Sequence, residues 1–321
     1  MGMGIEEFLK YDPIPFLESS EEPWIKYNLL ELQGKDNSKE FEVMSNDKQV
    51  QALIDECIRW PDPPIKRHND AHHPIQKIEL LADFGLDTRD KWIKAICNLI
   101  LDNRSEDGYF ASKIEIPERW GGKGTWTMDW MMCDAPILLY ALQKFGINNE
   151  FTDEAARMLV WNSDNNGWRC RSSVPKFKGP GRKDDYCPYG NLIALKAISL
   201  SKYKDTDPVQ SGIDSHILHW ENRSGKKIRM FGIGTTFMKL KYPNIWFDVL
   251  HVVDVLSRYS QAREYSEFWE MWEIIKGKQQ PEGGFVPESI WKAWSEWSFG
   301  QKKEPSPWMT MRIAQIADRL G

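Results

Sequence analysis

One arrangement recurs along the chain and limits what it can fold into: a short polar cluster built on His, Asp or Cys, followed at once by an apolar-periodic helix of constant length. The fullest copy is Asp184-Asp185-Tyr186-Cys187-Pro188-Tyr189-Gly190-Asn191, which runs into Leu192-Ile193-Ala194-Leu195-Lys196-Ala197-Ile198. His72 opens the run ending at Gly85, Cys133 the run to Gly146, Cys187 the run to Leu200 and Asp248 the run to Gln261, each 13 positions before the close. The four lie 61, 54 and 61 residues apart and so occupy one structural phase.

A second helix follows each of the first and ends in a glycine-aromatic corner, as in Asp107-Gly108-Tyr109-Phe110, Asn166-Gly167-Trp168 and Gly283-Gly284-Phe285, with a weaker copy at Ser224-Gly225-Lys226. Glycines 108, 167, 225 and 284 are 59, 58 and 59 residues apart. Such regularity marks a repeat in which no unit buries its apolar face alone. The helices from His72, Cys133 and Cys187 are rich in Leu, Ile and Ala. Those over 151–161, 206–220 and 263–275 carry charge on one face, through Glu154, Arg157, Glu264, Glu267 and Glu270. The first set is therefore expected inside and the second outside. This pattern predicts an all-α fold, an α/α toroid of about five helix hairpins whose inner helices line a central cavity. The last inner helix covers 308–320, and Asp87 or Thr88 caps the helix over 88–101. The toroid is expected to span 47–321 as one domain, with 1–46 as an N-terminal extension packing on it.

Composition bounds the function. A net charge of −5 argues against nucleic-acid binding driven by phosphate neutralisation. No apolar run approaches a membrane span, since Asp248, His251 and Asp254 interrupt the best candidate. The N-terminus lacks the layout of a secretory signal, and the five cysteines are odd in number and outside any disulfide-framework spacing, so a cytoplasmic protein is expected. Sixteen Trp in 321 residues point to a large core or a ligand cavity. A small-molecule ligand is the expected partner. Trp126, Asp129, Trp130, Tyr189 and Trp246 cluster at or before the polar mouths and are candidate substrate-binding residues, although the aromatics read equally as core. Arg182, Lys183 and the 226–229 basic run could draw an anion to the positive ends of the inner helices, or serve as solvated loop charge. The Met230–Thr236 glycine loop follows no clear strand and reads as a connection.

The chain resembles the repeat family of squalene and terpenoid cyclases and protein prenyltransferase β subunits. Gln279-Gln280-Pro281-Glu282-Gly283-Gly284-Phe285 is similar to that family's Gln-x-x-x-Gly-x-Trp/Phe corner, and 162–168 and 103–109 match it loosely. The resemblance covers about 47–321 and implies a transferase or cyclase acting on an isoprenoid-like or other apolar substrate in the cavity. The Asp-x-Asp-Asp acid of squalene-type cyclases does not occur. The prenyltransferase zinc pattern, an Asp, a Cys two residues on and a His one repeat later, is matched by Asp185 and Cys187. Asp248 stands at the third place, with His251 one turn further. Asp185, Asp248 and His251 are thus the candidate catalytic residues, and Cys133, Cys187 and His72 the candidate ligands of a zinc ion. The other readings of these residues are helix caps and packed thiols. Two further functions remain open: a non-catalytic ligand-binding or scaffold ring, and a carbohydrate-processing α/α barrel with Asp129 or Asp134 as general acid.

Overall fold

The first turns of the buried helices follow from a repeated local signal. His73-Pro74, Cys187-Pro188 and Ser306-Pro307 each put a capping residue before a proline, and Asp134-Ala135-Pro136 delays the proline by one place. Proline suits a helix start because its missing N–H would have no intrahelical acceptor there. The computed structural model describes residues 4–179, 185–225, 228 and 231–321. It is mostly helical, with 14 α-helices among the described residues. None of these is long and apolar enough to cross a membrane.

Tertiary contacts divide the chain into two compact units, a mid-chain unit of residues 49–232 and a terminal unit combining 1–48 with 233–321. The extension expected over 1–46 belongs to the terminal unit, and the single domain expected over 47–321 is shared between the two.

In the mid-chain unit, Pro74–Phe84 packs on Ala135–Lys144, which packs on Pro188–Ile198. Pro74–Phe84 and Pro188–Ile198 are buried at every position, and Ala135–Lys144 through Gln143. The helices between them bury one stripe only: Ile93, Ile96, Cys97 and Ile100 in Lys91–Asp102, and Thr152, Ala155, Ala156 and Leu159 in Glu150–Trp161. That three-and-four spacing is the mark of a helix with one face on a core. The alternation of enclosed and half-exposed helices read from composition is therefore present. The cap of Lys91–Asp102 is Asp90, whose carboxylate accepts from Trp92 and Ile93, rather than Asp87 or Thr88. Asp87 instead pairs with Arg89. A two-stranded antiparallel ribbon, Ser112–Glu115 with Trp126–Asp129, was not legible in the helical pattern.

Glycine-aromatic corners close the outer helices. Gly108, Gly167 and Gly283 have φ of 82°, 92° and 93°, a conformation that costs a side-chain-bearing residue energy. At Gly167 a Cβ would also fall 2.2 Å from Asn191 Oδ1, the atom that accepts the Trp168 N–H. The Tyr109 hydroxyl donates to Met158 O and Trp168 Nε1 to Leu159 O, so both corners fasten to the end of one helix.

Each unit encloses a charged cluster. In the mid-chain unit Lys196 Nζ lies 2.6 Å from Glu79 Oε1, 3.7 Å from Asp83 Oδ2 and 4.4 Å from the Tyr140 ring centroid, and the Tyr140 hydroxyl donates to Asp83. One residue set thus ties all three enclosed helices together. In the terminal unit Val249–Leu256 packs on Pro307–Leu320 and Ser266–Lys276. Asp254 there receives Arg319 at 2.7 Å, Arg312 at 3.2 Å and Arg258 at 3.4 Å. Gln279, first residue of the family-like corner, accepts the Lys10 and Tyr11 N–H groups and donates to Tyr11 O and Gly283 O. Its buried amide clamps the N-terminal segment to the corner.

Candidate functional site

The starts of the three enclosed mid-chain helices collect the unit's reactive side chains. His73 caps Pro74–Phe84 by accepting the Ile75 N–H on Nδ1 at 3.2 Å, and its Nε2 donates to Pro63 O at 2.7 Å. Burial holds it below the ordinary imidazole range, so it is a neutral structural cap. Cys187 caps Pro188–Ile198 with sulfur, which accepts the Gly190 N–H at 3.4 Å. Asp134 holds the equivalent place before Ala135–Lys144 but makes no cap. Its Oδ1 is 3.0 Å from His68 Nδ1, and its buried Oδ2 has no hydrogen-bond partner among the described residues. A capping Asp is worth about 1 kcal/mol, and here that contribution is given up in favour of His68.

Backbone pairing brings in a third element. Met132 N donates to Arg171 O, Cys187 N to Trp168 O, and Ser173 N to Trp130 O, which stretches residues 168–173 alongside both helix starts. Cys170 in that stretch then meets Cys133 and Cys187. Cys133 and Cys170 both lie within hydrogen-bonding reach of the Cys187 sulfur, which acts as the acceptor.

Those two hydrogen bonds hold the Cys187 thiol well below its usual range, with the Gly190 N–H and His68 adding to them against the opposing effect of burial. Its sulfur neighbours, Cys170 first and then Cys187, together with burial raise the Cys133 thiol well above its usual range. At His68 burial lowers the pKa, but the charge and hydrogen bond of Asp134, with the charge of Cys187, outweigh it and raise the value. The shifts run toward the thiolate at Cys187 and toward the protonated imidazole at His68, which Asp134 steadies. A helix start and a neighbouring cation are the surroundings that make a cysteine nucleophilic.

The structure unites some of the sequence candidates and separates others. Cys133 and Cys187 meet, and Tyr189 borders them, buried within the electrostatic reach of Glu79, Cys133, Asp134 and Cys187. Asp185 is half-buried on the approach to Cys187. His72 is exposed, and the imidazole at the cluster is His68, four residues earlier. Trp126 lies 53% exposed on the ribbon under Lys113, Asp129 accepts the Ser173 hydroxyl, and Trp130 is buried against Tyr109 with Nε1 on Asp107. These three brace loops. Asp248, His251 and Trp246 belong to the terminal unit, where they form one helix start: Asp248 accepts the His251 N–H, and His251 Nδ1 meets Trp246 O at 2.8 Å. Burial raises the Asp248 carboxyl to about 7 despite that hydrogen bond and the charge of Lys241. Arg182, Lys183 and the basic residues 226, 227 and 229 lie outside the described residues. Cys170 and His68 were missed because neither falls in the repeat phase; the one available hint was that three of the five cysteines follow a mouth or a corner closely.

Among the described residues no group of three or more His, Cys, Asp and Glu side chains is arranged to hold a metal ion. Cys133 and Cys170 lie within hydrogen-bonding reach of Cys187, and His72 is exposed. No family model matches the chain, and no curated protein does.

Proposed function

We propose that the chain is an enzyme of the prenyltransferase and terpenoid-cyclase type, an α/α toroid that turns over an apolar small molecule with an anionic head. The observation that carries this reading is the gathering of the capping thiol of Cys187 and the His68–Asp134 pair at the starts of enclosed helices. Helix N-termini favour an anion, such as a diphosphate or carboxylate. Cys187 supplies electron density toward an electrophilic carbon, His68 holds and returns a proton, and Asp134 fixes the imidazole so that Nε2 is the working nitrogen. Tyr189 forms the enclosed wall of the site.

The test is binding and turnover with a panel of allylic prenyl diphosphates, measured by thermal shift and by diphosphate release. A diphosphate should raise the melting temperature and be consumed, and both His68→Gln and Cys187→Ser should cut release at least tenfold. Stabilisation by oligosaccharides alone would favour the carbohydrate reading. Stabilisation by diphosphates without release would favour a binding protein.

A further inference from the structure

The first two enclosed helices each fasten a polar side chain to His68 and leave one oxygen of that side chain unused. Gln76, in the first turn of Pro74–Phe84, donates from Nε2 to His68 O at 3.1 Å. A carbonyl oxygen can only accept, so this bond fixes which way round the amide sits and leaves Oε1 as an acceptor. Asp134, just before Ala135–Lys144, meets His68 Nδ1 at 3.0 Å through Oδ1. Gln76 is 2% exposed and Asp134 1%, yet neither Gln76 Oε1 nor Asp134 Oδ2 has a hydrogen-bond partner among the described residues. The two helices pack on each other, and each unused oxygen is one amide or carboxylate carbon away from an atom bonded to His68. Buried acceptors left unmade are costly, and here two of them border one residue.

The pair lacks hydrogen-bond donors, and one of its oxygens belongs to a carboxylate. Among the described residues the one ion-pair partner of Asp134 is His68, whose imidazole carries charge only when protonated. A compact cation with several N–H groups meets both needs: an ammonium presents three donors from one atom and the charge that a carboxylate matches. The His68 side chain is 29% exposed, so the set reaches solvent at the imidazole while the two oxygens stay enclosed. We propose that His68, Gln76 and Asp134 form a binding site for a primary amine in its ammonium form, with Gln76 Oε1 and Asp134 Oδ2 each accepting one N–H and the carbon chain leaving past the imidazole. This gives the chain a second kind of ligand, since the anion of the proposed activity is drawn by helix N-termini and these two oxygens repel it. The site does not depend on that activity.

The test is isothermal calorimetry of the full chain at constant ionic strength with n-butylammonium chloride. Two comparison compounds accompany it: n-butyltrimethylammonium, which has the charge and no N–H, and n-butanol, which has one O–H and no charge. The primary amine should bind at a single site per chain, about tenfold or more tighter than either, because charge-assisted hydrogen bonds are lost in both. Gln76→Leu keeps most of the volume and removes the amide acceptor, and Asp134→Asn removes the charge; each should weaken the primary amine about tenfold. The wild-type comparison of the three compounds decides the matter if a variant fails to fold. Overturning results are no binding of n-butylammonium, in which case water alone serves the two oxygens, equal binding of the trimethylated compound, or full affinity in Gln76→Leu. Diphosphate turnover without amine binding would remove only this site; amine binding without diphosphate turnover would remove only the substrate reading.

Discussion

The two enclosed charge clusters solve the same problem with opposite polarity. In the mid-chain unit one ammonium, Lys196, serves two carboxylates, Glu79 and Asp83. In the terminal unit one carboxylate, Asp254, serves three guanidinium groups, Arg258, Arg312 and Arg319. Burying charge is costly, and removing one partner of a buried set strands the rest. The difference lies in what the stranded groups can do. Carboxylates left alone can take up a proton near neutrality and stop being charged. Arginine cannot shed its proton in that range. Even in the intact cluster, burial lowers Arg319 only to about 10 against the pull of Asp254. The terminal unit therefore depends on its hub without an escape route, and the mid-chain unit has one.

The severest way to break the comparison is Asp254→Ala, which leaves three fixed cations without their shared acceptor. It should cost about 3–5 kcal/mol or more, with little relief at any pH between 5 and 9, in chemical denaturation of the full chain. Lys196→Met fills the same volume with an apolar stem. Its penalty should approach about 3 kcal/mol at pH 8 and shrink toward pH 5, because the stranded Glu79 and Asp83 then bind protons in the folded state. Equal pH profiles for the two variants would sink the contrast.

Asp248 sharpens it within the terminal unit, as an enclosed carboxyl whose folded pKa of about 7 lies above the ordinary 3.8. The folded state then holds its proton more tightly than the unfolded chain. Its contribution is most favourable below the ordinary value and is lost as pH rises to about 7. Asp248→Asn keeps an acceptor for the His251 N–H, so the wild-type minus variant difference in melting temperature should fall across that window and level off above it. The smallest effect belongs to a surface cap. Asp90→Ala removes the acceptor of the Trp92 and Ile93 N–H groups and should cost about 1 kcal/mol at every pH above 5.

Much of the helical layout was legible because its signals are local. Pro74, Pro188 and Pro307 mark starts, glycines 108 and 167 mark corners, and the charge on Glu154 and Arg157 marks an outward face. The cap at Asp90 was missed by two or three residues since Asp87, Thr88 and Asp90 are all competent acceptors, and only the path of the chain selects among them. The ribbon Ser112–Glu115 with Trp126–Asp129 was hidden for a related reason: pairing across a turn leaves no 3.6-residue period. At the candidate site the sequence found the two cysteines that start helices and missed Cys170 and His68. Those two reach the cluster through backbone hydrogen bonds from Met132 and Cys187 and through the side chain of Asp134, contacts that no spacing along the chain encodes. Asp134, read as a candidate general acid, stands in a cap position without making a capping bond.

The contact between Lys196 and Glu79 joins residues 117 positions apart. Fixing that contact closes a long loop, whose entropy must be overcome before the pair contributes anything. The buried pair is thus completed only when the third enclosed helix, which brings Lys196, has joined the first.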